Sequence, residues 1–484
     1  MQHVIEINDG MARQPAFRMQ KPINLTIDAD EQVAIVGPNG GGKSILVGTM
    51  MGKYPLQGTN EVKYDFSPST STHTYDNIKY IAFRDTYGDA DSGYYYQQRW
   101  NSQDMESSPI VKDLLPETDD SELRDHLYGL FGIEEMLDKH IILLSSGELR
   151  KFQLVKTLLG NPRVLIMDNP FIGLDAPTRE LLRSLLGKLT QVGHLQVILV
   201  LSKSDDVPDF ITHVIPVNNM TVGKKISLTE FRANTIPVPS HILSEEKRKM
   251  ILALPHRTDD YISDSVACLN KVSIRYGERT ILKELDWNVM RGERWALKGE
   301  NGAGKSTLLS LICADNPQSY ACDIALFGRK RGSGESIWEI KKHIGYVSPE
   351  MHRAYMENIP AIEIVASGLH DTVGLYIRMR PEEAQKCELW MDIFGILPLK
   401  DKNFLELSSG EQRLCLLARA FVKDPELIIL DEPLHGLDLM NRRMVKDIIE
   451  AFCRRPNKTM IMVTHYQEDL PNNITNSLSL KKNR

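Results

Sequence analysis

The stretch that decides the fold reads Gly299-Glu300-Asn301-Gly302-Ala303-Gly304-Lys305-Ser306-Thr307. It fits the pattern G-x-x-x-x-G-K-[ST] in full, in which glycines let successive backbone N–H groups turn inward around an anion without obstruction from a Cβ atom. In this pattern Lys305 reaches the terminal phosphates of a nucleotide, and the Ser306 hydroxyl is placed to bind a magnesium ion. The sequence therefore predicts a nucleotide site at this loop.

The residues on either side of the loop support this prediction. Arg294–Lys298 is typical of a short strand, and Leu308–Ile312 is typical of the first turns of a helix. A helix that begins at the loop directs the positive end of its dipole toward bound phosphate. A glycine-rich turn with an unrelated lysine would not require this strand–loop–helix context.

A second loop with the same pattern lies near the start of the chain, with the residues Gly37-Pro38-Asn39-Gly40-Gly41-Gly42-Lys43-Ser44. Other motifs recur at nearly the same spacing as the two loops. Lys43 and Lys305 are 262 residues apart, and 263 residues separate Gly147 from Gly410, Asp168 from Asp431, and Asp175 from Asp438. Motifs that repeat in order at one offset indicate an internal duplication. We predict two copies of one domain, residues 1–217 and 267–484, joined by a linker at 218–266.

The composition is that of an ordinary globular protein. The chain has 484 residues, 42% of them hydrophobic and 25% charged, with a formal net charge of −6. This length exceeds what one core supports, and the charge argues against broad, sequence-independent nucleic-acid binding. No apolar run approaches the roughly 20 residues of a bilayer span, and the N-terminus does not have the pattern of a signal peptide. The six scattered cysteines favour reduced thiols. We expect a cytoplasmic protein with no nucleic-acid partner.

The order of the motifs points to a known family. In each copy the loop is followed by Leu-Ser-Ser-Gly-Glu, by an apolar strand that ends in Asp, and by Gly-Leu-Asp, and the second copy adds Thr464-His465. This set resembles the ATP-binding cassette ATPases over everything except the linker and the tails. The resemblance implies an α/β fold class, with two P-loop NTPase nucleotide-binding domains fused in one chain, each with a mixed β core and a helical subdomain. It also implies ATP and Mg²⁺ as cofactors.

The resemblance assigns roles to single residues of the second copy. Asp431, at the end of a buried strand, reaches the magnesium shell together with Ser306. Glu432 resembles the general base that polarises the attacking water, and His465 resembles the histidine that holds the γ-phosphate and orients that water. With Lys305, these two form the expected catalytic set. Tyr276 resembles the aromatic residue on which adenine stacks.

The remaining nucleotide-binding residues implied by the resemblance lie in two motifs that occur in both copies. They are Ser145, Ser146, Gly147 and Glu148, Ser408, Ser409, Gly410 and Glu411, with Asp175 and Asp438. The Ser-Ser-Gly-Glu signature and the helix after it form a second anion cradle. In the family two domains dock head to tail, and the signature of one completes the phosphate loop of the other. Carried over to this chain, a monomer with two internal composite sites is expected.

The two sites are predicted to be unequal. Where the second copy has Asp431-Glu432 the first has Asp168-Asn169, and Ser202 stands at the position of His465. An amide does not accept a proton as a carboxylate does, so the first copy has lost its base. It keeps Lys43, Ser44 and Asp168, with Ser44 and Asp168 as its magnesium ligands. We predict that the Lys305 site carries turnover and that the Lys43 site mainly binds ATP.

Two departures from the family pattern leave alternatives open. Both copies lack the usual glutamine after the strand that follows the loop, where Phe83-Arg84 and Ser348-Pro349 stand. In the first copy Gln97 or Gln98 is a candidate substitute. The run Gly93–Trp100, rich in tyrosine and glutamine, has two interpretations: a surface that stacks on a base or a partner protein, or a loop packed on its own domain.

The ATPase motifs do not reveal the biological role of the protein, because proteins with unrelated functions share the same fold and the same ATPase domain. The tandem form with a degenerate first copy most resembles cassette proteins associated with molybdate transport and photorepair. That resemblance implies the cytosolic energy subunit of a transporter, acting on a separate integral membrane permease and located peripherally at the inner face of the cell membrane.

Two soluble roles are the alternatives. Cassette proteins of the ABC-F type act on ribosomes, but they carry a long, basic, helical linker, whereas the charged part of 218–266 is the short mixed run Glu245–Lys249. Repair and chromosome ATPases insert zinc modules or long coiled coils, and the sequence shows neither pattern.

Overall fold

The computed structural model describes residues 2–82, 109–118, 120–141, 144, 146–171, 174, 176–191, 195–202, 206–234, 241–255, 263–276, 279–300 and 302–482. The chain divides into two compact units, Met1–Val238 and Pro239–Arg484. Each unit combines a largely parallel sheet, a smaller antiparallel sheet and packed helices. The expected α/β class, with two mixed β cores and helical subdomains, is confirmed.

The first unit contains ten strands and seven helices among its described residues. The strands are β1 (His3–Gly10), β2 (Ile23–Asp28), β3 (Val33–Val36), β4 (Lys63–Tyr64), β5 (Ile78–Ala82), β6 (Val164–Asp168), β7 (Gln196–Leu201), β8 (His213–Asn218), β9 (Thr221–Val222) and β10 (Ile226–Ser227). The helices are α1 (Lys43–Met50), α2 (Thr74–Asn77), α3 (Val111–Leu114), α4 (Ser121–Phe131), α5 (Ser146–Leu158), α6 (Ala176–Leu189) and α7 (Leu228–Ala233).

The central sheet of the first unit runs in the order β10-β8-β3-β7-β6-β5, with β9 paired to β8. Strands β8, β3, β7, β6 and β5 are parallel to one another, so their carboxyl ends meet at one edge. Strands β3 and β7 are buried along their whole length, as expected for parallel strands covered on both faces. An antiparallel sheet in the order β2-β1-β4 completes the β core.

The second unit contains nine strands and eight helices among its described residues. The strands are β11 (Ser265–Tyr276), β12 (Arg279–Met290), β13 (Arg294–Lys298), β14 (Asp323–Leu326), β15 (Arg329–Lys330), β16 (Ile344–Val347), β17 (Leu427–Asp431), β18 (Thr459–Val463) and β19 (Asn476–Ser479). The helices are α8 (Glu245–Leu252), α9 (Lys305–Ile312), α10 (Ile337–Lys341), α11 (Pro349–Ala354), α12 (Ala361–His370), α13 (Pro381–Ile393), α14 (Ser409–Phe421) and α15 (Leu439–Cys453).

The second unit repeats the plan of the first. Its parallel sheet has the order β16-β17-β18-β13-β19, and its antiparallel sheet the order β12-β11-β14-β15. Helices α12, α13 and α14 pack against one another. Their core contains a cluster of aromatic rings, with centroids 4.9 to 6.3 Å apart, formed by Trp390, Phe394, Phe421 and Phe452. These rings belong to a hydrophobic core that the helices share with one face of the parallel sheet.

The segment 218–266, set apart in the sequence as a linker, is divided between the two units. Its first part supplies β9, β10 and α7 to the first unit. Its second part supplies α8, which packs on α15 with Ile251 fully buried. The Asp447 carboxylate of α15 accepts hydrogen bonds from the backbone N–H groups of Ile242, at 2.7 Å, and Leu243, at 3.1 Å. The end of the segment is thus bound to the second unit.

Among the described residues, every helix falls short of the length and apolar character that crossing a membrane requires.

Candidate functional site

The loop of the second unit joins the end of β13 to the start of α9. Gly299 has φ +149°, and a Cβ atom there would lie 2.7 Å from the carbonyl oxygen of Leu480, so the position requires glycine. Gly304, with φ +93°, precedes the first residue of α9. The Lys305 ammonium donates hydrogen bonds to the carbonyls of Gly299, at 2.6 Å, and Glu300, at 2.9 Å. The Lys305 side chain therefore folds back over the loop, where bound phosphate would be expected.

The loop of the first unit has the same construction. A Cβ atom at Gly37 would lie 1.8 Å from the carbonyl oxygen of Val217, and Gly42, with φ +105°, precedes α1. The Lys43 ammonium donates to the carbonyls of Gly37 and Pro38 at 2.7 and 2.8 Å. In both loops the serine after the lysine is exposed in the first turn of the helix. Both loops thus combine a glycine at positive φ before the helix with an ammonium group and a hydroxyl, groups that phosphate and magnesium require.

Carboxylates gather at the carboxyl edge of the second unit's parallel sheet. Strand β17 ends at Asp431, and the backbone N–H of Glu432 donates to the carbonyl of Val463, the last residue of β18, at 3.0 Å. This pairing brings the residue after β17 next to the loop after β18. Glu432 Oε1 consequently lies 3.8 Å from Nε2 of His465. The two residues expected to act on water are neighbours.

The environment of Glu432 disfavours its charged form. The pKa of Glu432 is raised to about 8, first by burial and then by the negative charges of Asp431 and Asp469, with Lys305 and Arg413 acting in the opposite direction. Among the described groups, none donates a hydrogen bond to Glu432 Oε1. A raised carboxyl pKa in a cleft is typical of catalytic acids and bases.

The donor set of this site fits magnesium. Mg²⁺ prefers oxygen ligands, and the crowded carboxylates of Asp431 and Glu432 would gain from a nearby cation. Ser306 and Asp431 are the residues that would hold the ion in the second unit, and Ser44 and Asp168 those in the first. The buried, unsatisfied oxygen of Glu432 is consistent with a site completed by ligands.

The first unit has a hydrogen-bonded amide where the second has the carboxylate. The Asn169 amide nitrogen donates to Asp168 Oδ1 at 2.7 Å, and its oxygen accepts from the backbone N–H of Ser202 at 3.1 Å. The Ser202 hydroxyl in turn donates to the side-chain oxygen of Asn39, in the phosphate loop, at 3.0 Å. The second oxygen of Asp168 accepts from the hydroxyl of Tyr80, on β5, at 2.9 Å. These hydrogen bonds join Asn169 to Asp168 and, through Ser202, to the phosphate loop, and the side chain at the position of Glu432 is an amide.

Comparison with known proteins agrees with this geometry. A family model described as ABC transporter matches residues 20–172 and 282–435, one segment in each unit. The chain belongs to the ABC transporter family.

Individual members of the ABC transporter family match nearly the whole chain. It is 35% identical to the ABC transporter ATP-binding protein ModF of Escherichia coli (strain K12), over 98% of this chain and 96% of that protein. It is 28% identical to an uncharacterized ABC transporter ATP-binding protein of Schizosaccharomyces pombe, over 95% of this chain and 93% of that one. The tandem arrangement therefore extends to these relatives.

A solved structure has the same fold. The chain is similar, with a TM-score of 0.53 and 18% identity, to the crystal structure of the complex of archaeal ribosomal stalk protein aP1 and archaeal ribosome recycling factor aABCE1. The match covers 94% of this chain and 84% of that one. At this identity the likeness concerns the fold alone.

The ABC signature motifs lie at the starts of helices, as expected. In the second unit Ser408 caps α14: its hydroxyl accepts from the Glu411 N–H, and the Glu411 carboxylate accepts from the Ser408 N–H at 2.8 Å. In the first unit α5 begins at Ser146, and Glu148 accepts from the Lys139 ammonium at 2.7 Å. The signature serine and glutamate of the second unit thus stabilise the helix end that would face an anion.

Two other predicted nucleotide ligands have partners within their own unit. The Asp438 carboxylate caps α15, accepting from the backbone and side-chain amides of Asn441, both at 2.9 Å. The Tyr276 hydroxyl, at the end of β11, accepts from the Asn316 side chain at 3.0 Å. That Asp438 and Tyr276 bind nucleotide stays a prediction.

Several residues from the sequence analysis lie outside the described part of the chain. They are Ser145, Asn301 and Asp175, with Phe83-Arg84 and the run Gly93–Trp100 that includes Gln97 and Gln98. The structure therefore does not distinguish the two interpretations of that run. In the second unit Ser348, one of the two residues that stand where the family has glutamine, is buried and caps α11 through a hydrogen bond from the Met351 N–H at 3.0 Å.

Sequence reasoning missed two residues that contact the site. Tyr80 reaches Asp168 from a neighbouring strand, as described above. Arg413, on α14, is only 2% exposed and donates to backbone carbonyls around Asp431 and Glu432. A signal for Arg413 was available, because it directly precedes the apolar run Leu414–Ala418, and a charged residue buried with that run requires an acceptor.

Proposed function

We propose that this tandem ABC ATPase turns over ATP at the Lys305 site and mainly holds ATP at the Lys43 site. One observation supports this asymmetry above the others. Two loops of matching construction lie beside different partners, Glu432 with His465 in the second unit and Asn169 with Ser202 in the first. Of these two pairs, Glu432 with His465 contains a carboxyl group that can accept a proton and an imidazole, whereas Asn169 with Ser202 contains neither.

At the Lys305 site, hydrolysis forms a bond between water oxygen and the γ-phosphorus and breaks the bond to the bridging oxygen, which leaves with ADP. The Glu432 carboxylate accepts the proton of the attacking water, and the neighbouring His465 imidazole donates a hydrogen bond to the γ-phosphate. Lys305 exchanges its loop carbonyls for phosphate oxygens. Magnesium, when bound, neutralises phosphate charge.

At the Lys43 site the same binding groups are present without the proton acceptor. Lys43, Ser44 and Asp168 suffice to bind a nucleotide with its cation. Asn169 has no lone pair of sufficient basicity, and its oxygen already accepts from the Ser202 N–H. Nucleotide at this site is bound with little or no turnover.

For the biological role, we propose the energy subunit of an ABC transporter, acting on an integral membrane permease encoded separately. The support is the 35% identity to ModF, a protein named as an ABC transporter ATP-binding protein, over nearly all of both chains. A molybdate-type cargo follows from the resemblance described for the sequence. A location at the inner face of the cell membrane follows from the role.

The test uses Glu432→Gln, which we expect to bind ATP without hydrolysing it and so to retain transient partners. The tagged variant is expressed in the native host, and membranes, ribosomes and the remaining fraction are separated before co-purifying proteins are identified. Lys305→Ala is the control, since partners that need bound ATP should be missing from it. An integral membrane protein held only by Glu432→Gln supports the transport role. ATP-dependent recovery with ribosomes, or without any membrane protein, overturns it.

A further inference from the structure

Arg413 joins three segments of the second unit. It lies on α14, two residues after Glu411, and its side chain is buried. Its guanidinium donates to the carbonyls of Ser348 at 3.0 Å, Asp431 at 3.2 Å and Glu432 at 2.5 Å, with a longer contact of 3.4 Å to Pro433. The arginine therefore links the signature helix to the loop after β16 and to the turn after β17.

The turn that Arg413 holds has a strained backbone. Glu432 has φ +49°, in the left-handed region. This conformation is unfavourable for a residue with a Cβ atom, because the Cβ atom approaches the carbonyl oxygen that follows. Two contacts on opposite sides maintain it: the Glu432 N–H donates to Val463, and the Glu432 carbonyl accepts from Arg413. The carbonyl also accepts from the His435 N–H at 3.1 Å.

We propose that Arg413 is a positioning residue for hydrolysis: it fixes the turn that directs the Glu432 carboxylate toward the water at the Lys305 site. This inference rests on the proposed function, because it presumes that Glu432 is the base. Charge-assisted hydrogen bonds to several carbonyls of one turn fix its orientation better than one neutral bond does. The two terminal nitrogens of the guanidinium donate separately to the carbonyls of Ser348 and Glu432. Lysine has a single ammonium and cannot reproduce this geometry.

A purely architectural role is the competing explanation. The first unit has an arginine at the same place, Arg150, which is buried and donates to the carbonyl of Pro170. If Arg413 only stabilised the fold, its replacement would lower stability, ATP binding and turnover together. If it positions Glu432, turnover falls while ATP binding is retained, since its hydrogen bonds to the carbonyls of Asp431 and Glu432 hold the turn that carries the base.

The experiment compares Arg413→Lys with Arg455→Lys in the full-length protein. Arg455 is the control: it is buried, donates to the carbonyls of Leu254 and Pro255 and pairs with the Asp424 carboxylate, away from the sheet edge that carries Glu432. For each variant we measure kcat, KM for ATP, the affinity for a fluorescent ATP analogue and Tm. We expect Arg413→Lys to lower kcat about 10²-fold, as misplacement of a reacting group does, with KM and affinity unchanged. Arg455→Lys should lower Tm and leave kcat unchanged.

Two results overturn the proposal: wild-type kcat in Arg413→Lys, or parallel losses of affinity and kcat that track Tm. If Arg413→Lys does not fold, Arg413→Gln, whose amide still donates hydrogen bonds, is measured in the same way. Glu432→Gln is included to separate the two hypotheses. An active Glu432→Gln contradicts the proposed function itself, whereas an inactive Glu432→Gln beside an active Arg413→Lys contradicts only the positioning role.

Discussion

The side-chain oxygen of Asn169 accepts a hydrogen bond from the backbone N–H of Ser202 at 3.1 Å. At the equivalent position of the second unit, Glu432 Oε1 lies 3.8 Å from Nε2 of His465. The backbone around both residues is the same. Asn169 and Glu432 each have φ +49°, and each donates its N–H to the end of the neighbouring strand, at 2.8 Å to Val200 and 3.0 Å to Val463. The two units therefore differ in side-chain chemistry on a preserved backbone.

The first prediction concerns the proton acceptor. Glu432→Gln should lower steady-state ATPase activity by about 10²–10⁴-fold, the usual contribution of a general base, because the amide cannot take the proton of water. Asn169→Ala is the matched control at the same position of the first unit and should leave kcat near the wild-type value. Phosphate release at saturating ATP measures both, and substantial activity in Glu432→Gln would show that the base lies elsewhere.

The second prediction concerns reconstruction of the first site. In a Glu432→Gln background, Asn169→Glu combined with Ser202→His should raise ATPase activity on the order of tenfold above that background. Each single substitution should raise ATPase activity little, because the carboxylate and the imidazole act together. Asn169→Glu should also lower the free energy of unfolding by about 1 kcal/mol, since glutamate tolerates the left-handed backbone less well than asparagine. Equal activity in a single variant and the double variant would contradict the pairing.

The third prediction concerns Tyr276. Tyr276→Ala should weaken ATP binding at the second site by about 1–3 kcal/mol, the usual contribution of base–aromatic stacking. Tyr276→Phe keeps the ring and should keep that affinity, but it removes the hydroxyl that accepts from Asn316 and should cost about 0.5–1.5 kcal/mol of stability. Calorimetric titration with a nonhydrolysable ATP analogue, in a Lys43→Ala background, measures the second site alone. Similar affinity of the two variants would rule out stacking at this ring.

The fourth prediction concerns Asp447 and pH. Burial raises the pKa of Asp447, but hydrogen bonds from His241, Ile242 and Leu243 more than offset this and leave the pKa below its ordinary value of 3.8. A carboxyl with a lowered folded-state pKa binds fewer protons folded than unfolded, so its stabilising contribution is complete above pH 3.8 and is lost at lower pH. At pH 7, Asp447→Asn should lower the free energy of unfolding by about 1–3 kcal/mol.

Denaturant titrations of Asp447→Asn at several pH values test this. The difference from wild type should shrink below pH 3.8. The control is Glu245→Gln, which changes an exposed acid on the helix that Asp447 helps to hold, and it should shift stability by less than about 0.5 kcal/mol. A difference that does not change with pH would show that packing, and not the charged carboxylate, accounts for the effect.

Much of the fold could be predicted from the sequence because its signals are local. The strand expected at Arg294–Lys298 is β13, and the helix expected at Leu308–Ile312 is α9, which begins at Lys305. The internal repeat predicted two units, since a duplicated motif order implies a duplicated fold. The role of the loop glycines could be predicted because backbone conformation and close approach to neighbouring carbonyls exclude other residues there.

The contacts between distant segments could not be predicted in this way. Arg413 contacts Ser348, 65 positions away, and Tyr80 contacts Asp168, 88 positions away, and no periodicity in the sequence encodes either pair. Asp447 likewise binds backbone N–H groups more than 200 positions earlier. Such bonds follow from where the sheets place the segments, which depends on the whole packed unit.

The shared left-handed turn also bears on how the two units diverged. Asparagine is among the few residues with a side chain that adopt this conformation readily, whereas glutamate is held there against its preference. Exchange of glutamate for asparagine at this position therefore relaxes the backbone while it removes the base, and the reverse exchange strains it. A duplicated domain released from selection for hydrolysis would move in that direction and seldom return. The turn therefore favours retention of the asymmetry that we propose, in which the Lys305 site turns over ATP and the Lys43 site mainly binds it.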